Sequence, residues 1–194
     1  GARESGRCCL KGVRMDMSQN YFELFELPVA FDVDRDALAQ RYRQLQQVVH
    51  PDRYASASES EQRIALQHAT WVNEAFDTLK DPLRRAMYQL TLAGVDLNQE
   101  TATTRDGTFL MAQMELREAL SEVEQASDPF AVLDGLMRDI RQLLKQQLDS
   151  LAAQLTEGSE EALKEAQEGV SKLQFLTKLQ REAEAVEAKL EEAM

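Results

Sequence analysis

Glycine and proline are scarce, 8 and 4 in 194 residues, which leaves little turn chemistry for a sheet-rich fold and favours long helices. Cysteine is scarcer. The chain has 2, adjacent at Cys8 and Cys9, without CxxC spacing or a histidine cluster nearby, so neither a disulfide framework nor a zinc site is indicated. His50 and His68 are the only histidines, too few for a metal set. No Gly-rich phosphate loop is present, and no Ser or Cys sits in a strained elbow beside a base, so catalysis has no foothold and neither cofactor nor metal is expected. No apolar run approaches the roughly 18–20 residues of a membrane span, and none follows the N-terminal arginines as in a signal peptide. A soluble, cytoplasmic protein is the expectation. Basic charge is also in deficit: Lys+Arg 22 against Asp+Glu 34 leaves a net −12, opposite to the footprint that nucleic-acid binding needs.

The chain is 43% hydrophobic and 29% charged, in a length that suits one ordinary domain or two small ones. The charge is uneven: +2 over residues 1–17, −3 over 18–95 and −11 over 96–194. Two parts with different surfaces, and different partners, are the natural reading. Residues 1–17 begin with Gly and show neither helical nor strand period, so they read as a tag or leader outside the fold.

From residue 18 to 94 the pattern is helical. Tyr21-Phe22-Glu23-Leu24-Phe25 is a short apolar turn, stopped at Pro28. Asp34 can cap a second helix in which Leu38, Tyr42, Leu45 and Val48/Val49 recur every three to four residues, and which ends at His50-Pro51 because the residue before proline leaves the α region. A polar loop at 55–60 comes next. Ile64, Ala65, His68, Trp71/Val72, Ala75/Phe76 and Leu79 then restore the period, until Lys80-Asp81-Pro82 closes a third helix. The result is a helical hairpin on which Tyr21, Phe22 and Phe25 can pack. Residues 95–106, polar with Asn98, Thr101, Thr103 and Thr104, read as a linker. Beyond it, segments at about 107–125, 129–155 and 159–192 form a three-helix bundle over 107–194, with start signals at Asp128-Pro129 and Ser159. The fold class is all-α.

His50-Pro51-Asp52 falls at the tip of the hairpin, where proline stiffens the chain and presents two polar side chains to solvent. Alone, a tripeptide is weak evidence, and loop filler is the ordinary reading. His68 lies among apolar helical positions, where a packing histidine is the ordinary explanation.

The wider order is more specific. Tyr42 and Arg43 on the second helix, His50-Pro51-Asp52-Arg53, then Val72-Asn73-Glu74-Ala75-Phe76-Asp77-Thr78-Leu79 and Asp81-Pro82-Leu83-Arg84-Arg85-Ala86-Met87-Tyr88 resemble the J-domain of DnaJ-type co-chaperones across residues 20–90. The resemblance implies binding to a DnaK-class chaperone and stimulation of its ATPase, with no catalysis by the J-protein itself. It assigns the contact to His50, Pro51 and Asp52, and to a basic surface that here comprises Arg41, Arg43 and Arg53. Gln44 and Ala39 stand where many members carry Arg or Lys, so the basic patch is thin, which suggests a narrower choice of chaperone or a weaker contact.

The second half carries neither the Gly/Phe-rich segment nor the zinc module of general J-proteins. Residues 104–118, from Thr104 to Glu118, and 172–179, from Lys172 to Leu179, are instead similar to the C-terminal bundle of the HscB family, the J-proteins of iron–sulfur cluster biogenesis. With the J-domain, the resemblance covers nearly everything after Met17. It implies a chaperone of the HscA type and a scaffold protein of the IscU type, held by Leu110, Met111, Met114, Glu115, Glu118, Glu122 and Phe175. The residues themselves point the same way. Phe109, Leu116, Leu120 and Val123 make one core stripe, while at about 100° per residue Leu110, Met111 and Met114 turn away from it beside the three glutamates. Burial against the third helix of the bundle or against the J-domain is the competing explanation for this apolar surplus. Phe175 likewise lies off the stripe of Leu163, Val170, Leu173 and Val186 on its own helix. The acidic run 182–192 reads as a solvated face.

Overall fold

A computed structural model describes residues 7–10, 13–97 and 106–193. The chain divides into two compact units between Tyr88 and Gln89. The first contains β1 (Arg7–Leu10), β2 (Val13–Asp16), α1 (Tyr21–Leu24), α2 (Arg35–Val49), α3 (Glu59–Lys80) and most of α4 (Pro82–Leu92). The second holds α5 (Gly107–Glu122), α6 (Pro129–Glu157) and α7 (Glu160–Glu192). No helix among the described residues is long and apolar enough to cross a membrane.

Among the described residues the fold is all-α but for one short hairpin. Strands β1 and β2 pair antiparallel, Arg7 opposite Asp16 and Leu10 opposite Val13, within the segment expected to have no strand period. Four-residue strands are too short to show alternation in sequence, which is why periodicity does not reveal them.

Local capping sets most helix ends. Asn20 and Glu23 form a reciprocal capping box that opens α1. That helix stops at Phe25, earlier than Pro28 would require, because Glu26 turns into the left-handed region (φ 53°). Asp34 accepts the Asp36 and Ala37 N–H groups at 3.0 Å and starts α2. His50 then leaves the helix (ψ 126°), as the following proline demands. Pro51–Tyr54 is a 3-10 turn rather than extended loop, anchored by buried Tyr54, whose hydroxyl donates to the Val48 carbonyl at 3.0 Å. Ser58 and Glu61 make a second capping box for α3. Pro82 ends α3 as expected and also opens α4, a helix absent from the periodicity reading: proline needs no N–H partner at a first helical position, and Asp81 accepts the Arg84 N–H at 2.8 Å.

The core of the first unit joins Phe22, Leu24 and Phe25 of α1 to Leu38 and Val49 of α2 and to Trp71, Val72, Ala75 and Leu79 of α3. Tyr88 of α4 stacks on Tyr21 at 4.4 Å and accepts its backbone N–H at 2.9 Å, pinning α1. In the second unit α6 and α7 pack antiparallel along their length, an arrangement allowed by the left-handed Gly158 (φ 65°) that ends α6 and by Ser159, which caps α7. Leu133, Leu136, Met137 and Ile140 of α6 meet Leu179 and Ala183 of α7, and Val123 closes the end. Most of the expected linker, 98–105, lies outside the described residues.

Candidate binding surfaces

The hairpin tip is built from the α2–α3 contact upward. Tyr42 stacks on Phe76 at 4.0 Å, and its hydroxyl donates to Asn73 Oδ1 at 3.0 Å. The Gln46 amide donates to the same oxygen. These contacts hold the last turns of α2 against α3 and so orient the His50-Pro51-Asp52 turn. His50 is half exposed and Asp52 almost fully so. The Asp52 N–H donates to His50 Nδ1 at 3.4 Å, which leaves Nε2 as the imidazole nitrogen without an internal partner among the described residues. Nδ1 also stands 3.6 Å from Asp52 Oδ2, an ion pair only when the ring is protonated. Together with Gln46, Gln47 and Arg53, His50 lines an open depression. The expected basic residues are not equivalent. Arg43 is exposed and has no ion pair among the described residues, Arg53 donates to the Gln47 carbonyl, and Arg41 is held by Glu26 at 2.5 Å.

His68 is buried with Nδ1 unpartnered among the described residues, and burial pushes its pKa below the ordinary 6.5. It is a packing residue, far from the chemistry of a ligand. Arg85, also buried, lies 5.0 Å over the Phe31 ring and donates to the Leu79 carbonyl at 2.5 Å.

On the second unit α5 defines the other surface. None of its 16 residues is buried, because it covers the α6–α7 pair with one half-buried stripe, Phe109, Leu116 and Leu120. Its other side leaves Leu110 40%, Met111 65% and Met114 73% exposed. Glu115, Glu118 and Glu122 are exposed beside them without an ion-pair partner among the described residues. The surplus apolar side chains expected from the sequence therefore lie in water rather than against another helix.

Phe175 is seated differently. It is half-buried against the bundle core, edge-on to Phe109 at 5.9 Å, with the Arg117 guanidinium 5.6 Å above its ring. Arg117 in turn bonds Glu182 at 3.2 Å. Phe175 thus joins α5 through Phe109 and Arg117, on the flank of α5 that also carries Leu110, rather than standing free with Met111 and Met114. Sequence reasoning missed Arg117, Lys172 and Asp106. Lys172 donates to Asp106 Oδ2 at 2.7 Å and sits 5.4 Å over Phe109. That pair and the Phe109 and Thr108 N–H groups hold the Asp106 carboxyl below its ordinary pKa.

An exposed His-Pro-Asp turn between two antiparallel helices defines the class of J-domain proteins, and a profile of the DnaJ domain matches residues 20–89. A second profile, described as the HSCB C-terminal oligomerisation domain, matches residues 105–184. The co-chaperone protein HscB homolog of Shewanella amazonensis is 48% identical over 168 residues, spanning 87% of this chain and 97% of the relative. That of Shewanella baltica is 46% identical over 171 residues, with the same coverage. Among solved structures, chaperone HscB from Vibrio cholerae matches with a TM-score of 0.80 and 42% identity over 89% of this chain and 99% of its own. Human co-chaperone protein HscB matches with a TM-score of 0.83 and 28% identity over 96% and 92%. The chain belongs to the HscB family of co-chaperones.

Proposed function

We propose that the chain couples two binding events. Residues 18–94 act as the J-domain, engaging a DnaK-class chaperone of the HscA type through His50, Pro51, Asp52 and the arginines Arg41, Arg43 and Arg53, and stimulating its ATPase. Residues 107–194 hold an iron–sulfur scaffold of the IscU type through Leu110, Met111, Met114, Glu115, Glu118, Glu122 and Phe175, with 95–106 as the joint. The chain has no catalysis of its own in this reading. The ATP site belongs to the chaperone and the cluster to the scaffold, in the cytoplasm of a bacterium.

One observation carries the reading: α5 half-buries one flank and leaves three large apolar side chains in water, rimmed by glutamates with no ion-pair partner among the described residues. Methionine suits an adaptable contact, and unpaired carboxylates select a partner with basic residues around an apolar centre. The test is ATPase turnover of an HscA-type chaperone with this chain, with and without the scaffold. Stimulation that rises further when scaffold is added is expected; no stimulation by the chain overturns the proposal.

A second reading makes the α5 surface a contact between copies of this chain, which the description of the C-terminal family profile favours. Sedimentation without scaffold separates the two. A monomer leaves the surface for the scaffold, and a dimer lost on Met111→Glu assigns it to self-association.

A further inference from the structure

Glu26 is the single non-glycine residue with positive φ among the described residues. The backbone explains the angle. Leu27 N–H donates to the Phe22 carbonyl at 2.9 Å and Glu26 N–H to the Glu23 carbonyl at 3.0 Å, the pair of bonds that closes a helix through a left-handed residue just past its end. Glycine occupies that position without strain, whereas a residue with a Cβ does not. The turn does not call for a glutamate there, and the side chain makes a contact of its own.

The carboxylate goes to α2. Glu26 Oε2 lies 2.5 Å from Arg41 Nη2, and the same guanidinium makes a 3.3 Å bond to Gln44 Oε1. Arg43, on the same helix, is exposed without an ion pair among the described residues. Of the three arginines assigned to the chaperone face, Arg41 alone has an ion pair among the described residues. Both members of the pair remain accessible, at 44% and 67% side-chain exposure, so the bond can be exchanged for one to another carboxylate.

We infer that Glu26 is a specificity-determining residue of the J-domain face, an internal competitor that occupies Arg41 and weakens the face for an acidic chaperone surface. The inference rests on the chaperone reading above. A partner carboxylate reaching Arg41 replaces an existing pair instead of gaining a free cation, so only a partner with enough contacts elsewhere, at the His50-Pro51-Asp52 tip, binds well. A partner that relies on charge alone is rejected.

The experiment measures the J-protein concentration giving half-maximal ATPase stimulation of an HscA-type chaperone and of a general DnaK-type chaperone, for wild type, Glu26→Gln, Glu26→Gly and each in an Arg41→Ala background. Glutamine removes the charge at constant size, and glycine removes it while suiting the left-handed backbone, so a folding defect in one is controlled by the other. At low salt both single variants should reach half-maximal stimulation at roughly two- to five-fold lower concentration, the scale of an exposed ion pair. The gain should be larger for the general chaperone, should shrink at high salt, and should vanish in the Arg41→Ala background. Unchanged or higher half-saturation in both variants overturns the inference while leaving the chaperone reading intact, as does a gain that survives without Arg41. No stimulation by wild type overturns both.

Discussion

Asp106 caps α5 with one carboxylate oxygen and receives Lys172 of α7 on the other at 2.7 Å, so one side chain both starts the helix and ties it to its neighbour. Because no residue of α5 is fully buried, this tie adds to the half-buried stripe and the Arg117–Glu182 bond in attaching the helix. Asp106→Ala should lower the melting temperature of the second unit and raise hydrogen exchange at the start of α5, with Lys172→Met giving a smaller change because the cap survives. The pH dependence has a definite sign. The native carboxyl titrates below its ordinary value, chiefly through Lys172 and then the Phe109 N–H, so its stabilisation is complete above the unfolded pKa near 3.8 and is lost as pH falls through the lower native value. Wild type should therefore lose stability relative to Asp106→Ala below about pH 4. Parallel acid limbs would remove the carboxylate from the account.

His50→Gln should abolish stimulation of the chaperone ATPase while leaving the melting temperature of the first unit unchanged. The ring is half exposed, and its one hydrogen bond among the described residues is accepted by Nδ1 at the long distance of 3.4 Å, so little native structure depends on it. Thermal melts and steady-state ATPase turnover measure the two sides. Full stimulation by the variant would detach the tip from the proposed function.

Much of the fold was legible because helix ends are local. Asp34, Pro51, Asp128-Pro129 and Ser159 announce their helices within a few residues, and each does what capping chemistry requires. Pro82 is legible only in part: it ends α3, but proline at a first helical position also opens α4. The α5 surface was legible because rotation about one helix separates Leu110, Met111 and Met114 from the Phe109 stripe. The seat of Phe175 was not, since a position off its own helix's stripe can still be covered by a neighbour, here by Phe109 and Arg117. Nor does any short-range pattern signal that Lys172 bonds Asp106 or that Glu182 bonds Arg117.

Gly169 is needed for the close approach of α6 and α7. A Cβ there would stand 2.7 Å from Gln147 Nε2 and 3.1 Å from Leu151 Cδ2. The amide is a flexible end and can swing, but Leu151 is fully buried and must yield within the core. Alanine gains about 1 kcal/mol of helix propensity over glycine, against an overpacking cost of about 1–3 kcal/mol. Gly169→Ala should therefore be destabilising by about 1 kcal/mol in urea unfolding. A more stable variant would show that the helices part without cost.

Leu110→Ala with Met111→Ala should weaken scaffold binding by roughly 10- to 100-fold, since each large apolar side chain buried in an interface contributes about 1.5–3 kcal/mol, part of which alanine retains. Stability should stay within about 0.5 kcal/mol because both side chains are exposed in the free protein. Chaperone stimulation in the absence of scaffold should be untouched. Calorimetric titration with the scaffold decides it, and equal affinity would remove these residues from the scaffold site.

His68 should make the first unit sensitive to mild acid. Its burial lowers the native pKa, so above the ordinary 6.5 both native and unfolded forms are neutral and the group contributes no pH dependence. Below that value the unfolded chain takes up a proton that the native chain refuses, and stability falls until the lower native pKa is reached, where the loss levels off. Nδ1 has no partner to lose among the described residues, so His68→Leu should fold well at pH 7.5 and lack this acid component. The only tryptophan, Trp71, lies in the same helix and core and reports the transition by fluorescence. Denaturant midpoints at pH 7.5 and 5.5 should converge for the variant and separate for wild type. An equal separation in both would remove His68 from the account of the acid sensitivity.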